Sequence, residues 1–170
     1  MVRLIILFTL AGILALWLQV SLLHALPLGG FVPDLMVILV VDLGLRQHDA
    51  LAPLLAFAMG YAVDAVSGAQ LGLNAFALTL VYMLVYEISR HTWLTGGMTG
   101  SLMAGVGAAV HSFCVLALGG GLASVLPMRT GLWHQVLLQA LISALLAPAI
   151  FKLLDNCRRF LRLPVRTGQE

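Results

Sequence analysis

Apolar residues fill the chain in blocks of about 4–23, 33–45, 51–66, 71–88, 96–118 and 133–154, separated by short clusters of Gly, Pro, Gln, His and charge. Each block reads as a helix crossing a membrane, so the pattern predicts an all-α, polytopic bundle of six transmembrane helices in one domain, with a basic tail over 155–170. The second block is short. At about 1.5 Å per residue it covers roughly 20 Å, so it tilts, thins the bilayer or lies partly embedded. Met1-Val2-Arg3 before Leu4–Leu23 imitates a signal peptide. The long apolar run and the poor cleavage site at His24–Pro27 make it a retained first helix.

Polar residues inside these blocks attract attention because a carboxylate in hydrocarbon costs about 2.5–3.5 kcal/mol on insertion scales. Ala52, Ala56 and Gly60 recur every fourth residue and lead on the same face to Asp64, near the C-terminal end of the third helix. The helix dipole opposes a negative charge there, so Asp64 has a partner, faces water or is protonated. Alternatively it lies just outside the membrane and hydrogen-bonds the turn Ser67-Gly68-Ala69-Gln70 through Ser67. Asn74 sits close to the same turn. Asp34 follows Pro33 in the first turn of the second helix, where the positive dipole end favours it. Asp42 and Arg46 are spaced for an i,i+4 pair, and Glu87 and Arg90 for another beside an aromatic belt of Tyr82, Tyr86 and Trp93.

Small residues mark candidate packing faces: Ala11 and Ala15, Ala56 and Gly60, and Gly100 with Ala104. The fifth block is the richest in them and is expected at the bundle centre. His111 continues its Gly100–Ala104 face, more as a hydrogen-bonded bundle residue than as a metal ligand.

Composition agrees with this pattern. The 170 residues are 61% hydrophobic and 9% charged, against about 25% charged in soluble domains. Arg3, Arg46, Arg90, Lys152, Arg158, Arg159, Arg162 and Arg166 fall on one side of a six-helix alternation and Arg129 on the other. The positive-inside rule then puts both termini in the cytoplasm. It places Asp34, Asp64, Asn74 and His134 near the outer face, with His111 somewhat deeper. Basic residues at membrane boundaries argue against nucleic-acid binding, and the tail arginines read as topology markers.

No phosphate loop, HExxH, CxxC or GxSxG motif is present, and Cys114 and Cys157 fall on different levels of the topology. Ser67 with His111 is the best candidate for an intramembrane hydrolase, and Asp34, Asp64 and His111 for a metal site. Neither pairing has a supporting motif. No enzyme, cofactor or metal is expected.

The chain resembles the rod-shape-determining MreD family of bacterial inner-membrane proteins. The resemblance rests on Val32-Pro33-Asp34-Leu35, on Gly44 before the basic loop, on Gly60–Asp64, on Ser67-Gly68 and on Leu71–Phe76. It implies a non-enzymatic scaffold of the cell-elongation machinery that pairs with the bitopic MreC protein. Through MreC it would connect MreB filaments to a polytopic glycosyltransferase and a penicillin-binding transpeptidase. The family is also similar in architecture to the substrate-binding S-components of energy-coupling-factor vitamin transporters. That similarity gives the alternative of a subunit with an outward pocket, and Ala11 and Ala15 match the face such subunits use against their coupling protein. In the scaffold reading Asp34, Asp64, Asn74 and His111 form an outward polar vestibule for a partner segment or an amphiphilic ligand.

Overall fold

The computed structural model describes residues 2–25, 33–47, 49–68, 70–91, 97–119 and 130–160. These form six α-helices and, among the described residues, no strand. They are α1 (Val2–Ala25), α2 (Leu35–Arg46), α3 (Leu51–Ser67), α4 (Leu73–His91), α5 (Gly97–Gly119) and α6 (Thr130–Phe160). Within α1, α5 and α6, three segments are long and apolar enough to cross a membrane: Leu4–Ser21, Thr99–Gly119 and Val136–Phe160. The short apolar α3 falls below that length.

The shortest helix is the centre of the bundle. Every residue of α2 from Met36 to Gly44 is buried, and Val37, Ile38, Val40, Val41 and Leu43 have no exposed surface. This corrects the expectation that α5 is central. Small residues on α5 do permit close approach, but they bring it against α2 and α6 from outside: a Cβ on Gly107 would lie 3.0 Å from Val41, and one on Gly100 2.6 Å from Phe151. A twelve-residue helix enclosed by its neighbours has no lipid-facing side, so its length need not match the bilayer.

The α3–α4 hairpin brings two backbones into close approach at Gly60. On α3, Ala52, Ala56, Gly60 and Asp64 are all buried, and a Cβ on Gly60 would lie 2.4 Å from the Ala75 Cα. Only glycine allows two backbones to meet so closely. The helix ends on Gly68 in the left-handed region (φ 64°). The chain turns again at Gly72 (φ 96°), so α4 starts at Leu73 rather than at the expected Leu71.

Two boundary readings change. Tyr82 is buried and donates a hydrogen bond to the Gln47 carbonyl at 3.1 Å, closing an open C-terminal carbonyl of α2 rather than joining an aromatic belt. Trp93 lies outside the described residues, and Glu87 meets His91 at 3.4 Å rather than Arg90. Ser89 completes the capping of α2 by donating to the Leu45 carbonyl.

Candidate functional site: two polar clusters on one buried helix

Each end of α2 carries a buried polar cluster. At its N-terminal end, Asp34 caps the helix by accepting from the Val37 N–H at 3.2 Å. Its other carboxylate oxygen lies 2.7 Å from His111 Nδ1 on α5. His111 Nε2 lies 3.1 Å from Asn74 Oδ1 on α4, and Asn74 Nδ2 donates to Asp64 on α3 at 2.8 Å. The backbone N–H of Asp34 donates to Ser143 Oγ on α6, and Gln19 on α1 donates to the Pro33 carbonyl. Side chains from all six helices, or the residues just before them, meet in this one network.

Asp64 occupies a ready-made acceptor site. It is fully buried and accepts from the backbone N–H groups of Gly72 (2.9 Å), Asn74 (3.0 Å) and Ala75 (3.2 Å). These are donors at the start of α4 that have no intrahelical acceptor. Although Asp64 lies at the unfavourable end of its own helix, it therefore sits at the favourable end of the next. Its partner is the entry to α4. Ser67 hydrogen-bonds instead to the Asp64 backbone carbonyl.

The amide orientation also fixes part of the proton arrangement. Asn74 spends its NH₂ on Asp64, leaving its carbonyl to face His111, so Nε2 must carry the hydrogen. A second proton on the Nδ1–Asp34 contact would then be held between imidazole and carboxylate. Both ring nitrogens of His111 are thus engaged with Asp34 and Asn74. Asn74 stands between His111 and Asp64, and among the described residues no three His, Cys, Asp or Glu side chains gather as metal ligands.

At the other end of α2 the cluster is made of full charges. Asp42 has no exposed surface and is paired with Arg46 Nε at 2.9 Å and with both terminal nitrogens of Arg158. Arg46 also forks onto Asp155 at 2.6 and 3.1 Å. The Arg158 guanidinium lies 5.5 Å from the centre of the Phe8 ring on α1. Two carboxylates and two guanidiniums cancel. Among the described residues, Arg158 Nε alone in this group is buried without a hydrogen-bond partner.

A family model described as rod shape-determining protein MreD matches residues 1–157. The chain belongs to the MreD family. No curated protein and no solved structure matches it. MreD membership gives the chain a role in rod shape determination, and its long apolar helices make it a membrane protein.

In this MreD-family chain, the four candidate residues Asp34, Asp64, Asn74 and His111 come together, whereas His134 is exposed outside the cluster. The packing-face residues are also distributed unevenly. Ala15, Ala56, Gly60, Gly100 and Ala104 are buried, while Ala11 is half-buried at the edge of the α1 contact. Sequence reasoning found the Asp42–Arg46 pair but missed its continuation to α6. Arg158 is buried rather than a free topology marker, and the first part of the expected tail, through Phe160, is helix. The available signal was Asp155, the lone acid in the basic stretch 152–166, three residues before Arg158. Ser143 gave no signal beyond being a polar residue in an apolar run.

Proposed function

We propose that the chain is a non-enzymatic scaffold of the cell-elongation machinery in the bacterial inner membrane. In this reading all six helices are membrane-embedded and both termini are cytoplasmic. It binds a bitopic MreC-like protein and through it links MreB filaments to the glycosyltransferase and transpeptidase that build side-wall peptidoglycan. The observation that carries this reading is the use made of the polar groups. Asp34, Asp64, Asn74 and His111 are spent on one another and on helix ends, which suits a rigid frame that presents fixed outer faces to partners. A transporter subunit of the S-component type would need such groups free for a ligand.

The outward end of the network is the proposed partner site, with Asp64 setting the position of the α3–α4 turn. A mild-detergent pull-down of tagged protein, analysed for proteins and small molecules, tests the reading. Recovery of a bitopic MreC-like protein with cell-wall synthases supports it. Recovery of an ATPase pair with a coupling protein, or of a bound vitamin, overturns it. Asp64→Ala is expected to insert normally yet reduce complex yield and rod shape, and unchanged yield and shape would remove Asp64 from the partner site.

A further inference from the structure

A cleft of about 340 Å³ opens between α1 and α6 near the charged cluster, lined by Leu7, Leu153, Asn156, Cys157 and Phe160. It exists because α1 packs on α2 and α3 while α6 packs on α5 and α2, leaving the backbones of the two longest helices apart at this end, where Arg158 reaches across to Phe8. Two stripes adjoin on α6 here. Leu153, Cys157 and Phe160 recur at spacings of four and three and form the apolar one. Lys152, Asn156 and Arg159 recur in the same way on the adjoining helix face; of these, Asn156 lines the cleft and the two cations flank it.

The charges near this cleft are not equivalent. Asp42, Arg46, Asp155 and Arg158 neutralise one another. Lys152 and Arg159 are exposed and, among the described residues, have no ion pair. A pair of cations without ion-pair partners among the described residues therefore flanks an apolar cleft between two helices of membrane-spanning length. Phe160, 89% exposed, stands at the end of α6, where the segment apolar enough to cross a membrane, Val136–Phe160, also ends. Long basic side chains near the end of a span reach toward phosphate while their stems cover apolar surface.

We propose that this cleft is a binding site for an anionic phospholipid, one acyl chain lying against Leu7, Leu153 and Phe160 and the phosphate held by Lys152, Asn156 and Arg159. The site is independent of the partner reading above, since it needs only that this end of α1 and α6 lies at the membrane surface. A lipid held here would join α1 to α6 across their gap.

The test is lipid retention by the full chain, purified from membranes, incubated with equal amounts of phosphatidylglycerol and phosphatidylcholine and read by native mass spectrometry. Phosphatidylglycerol is expected to be retained in preference, and each of Lys152→Gln and Arg159→Gln to lower that preference roughly fivefold. Cys157→Trp, which fills the cleft and leaves both cations in place, is expected to abolish it. Thermal melting in phosphatidylcholine alone checks that the variants still fold, since all three side chains are exposed. Equal retention of the two lipids, or a preference that survives Cys157→Trp, overturns the proposal. So does a cleft occupied by a second copy, seen as a dimer that the added lipid does not dissociate.

Discussion

The two ends of α2 bury carboxylates by different means. At the N-terminal end, Asp34 and Asp64 sit where helices begin, and free backbone N–H groups of α2 and α4 supply donors. Among the described residues, no arginine or lysine enters that cluster. At the other end Asp42 lies inside α2, where every nearby N–H is already committed to the helix, and two arginines converge on it. The start of α4 holds Asp64 with dipoles and a neutral amide alone. Asp34 adds His111 to the N–H donor of α2, and Asp42, inside a helix, takes two guanidinium counter-charges. The arrangement at Asp64 depends on backbone geometry and that at Asp42 on side-chain charge balance.

The contrast can be broken most severely at the charged end. Arg158→Ala leaves Asp42 buried with only its neighbour Arg46, and is expected to cost about 3–5 kcal/mol. The double variant Asp42→Leu with Arg158→Met is expected to recover most of that loss, because charge balance returns with similar volume. Reversible unfolding in mixed micelles measures both, and a double variant as unstable as the single one contradicts the charge-balance account.

Asp64→Ala attacks the backbone-donor arrangement. It strands the Gly72, Asn74 and Ala75 donors and the Asn74 amide, for an expected loss of about 1.5–3 kcal/mol. Hydrogen exchange is expected to rise first at the start of α4. If exchange there is unchanged, the cap is not holding the turn. Gly60→Ala, which drives a methyl group against the Ala75 backbone, is expected to cost about 1–3 kcal/mol by the same unfolding assay. A neutral result would mean that α3 and α4 separate easily. The smallest effect is expected from Arg46→Gln, whose side chain is 28% exposed. Asp42 keeps Arg158 in that variant, and solvent screens the outer contact to Asp155, so the loss stays near 1 kcal/mol or below.

The helical class, the six blocks and the carboxylates of interest were legible in the sequence because each departs sharply from an apolar background. The Ala52–Asp64 face was legible because its spacing is local. What could not be read was the third dimension. Asp64 seemed misplaced at the end of α3 because its acceptor role belongs to α4, across a turn whose two positive-φ glycines set the angle. Small residues suggested that α5 was central, but the enclosed helix is α2, whose uniform Val, Ile and Leu run signals burial without saying what surrounds it. Arg158 resembled every other basic residue in the tail, since its burial depends on Asp42, 116 residues earlier in the chain.

That separation has a consequence for synthesis. At about 5–20 residues per second, Asp42 is made roughly 6–23 s before Arg158. Throughout that interval the carboxylate of the central helix must be tolerated without its distant counter-ion, and until Thr130 is reached no part of α6 has been made. Arg46, one turn away and made almost at once, is the cation within reach. The local pair is thus a temporary escort during biogenesis that later becomes one arm of the finished network. The bundle can close around α2 only after its last helix has been released into the membrane.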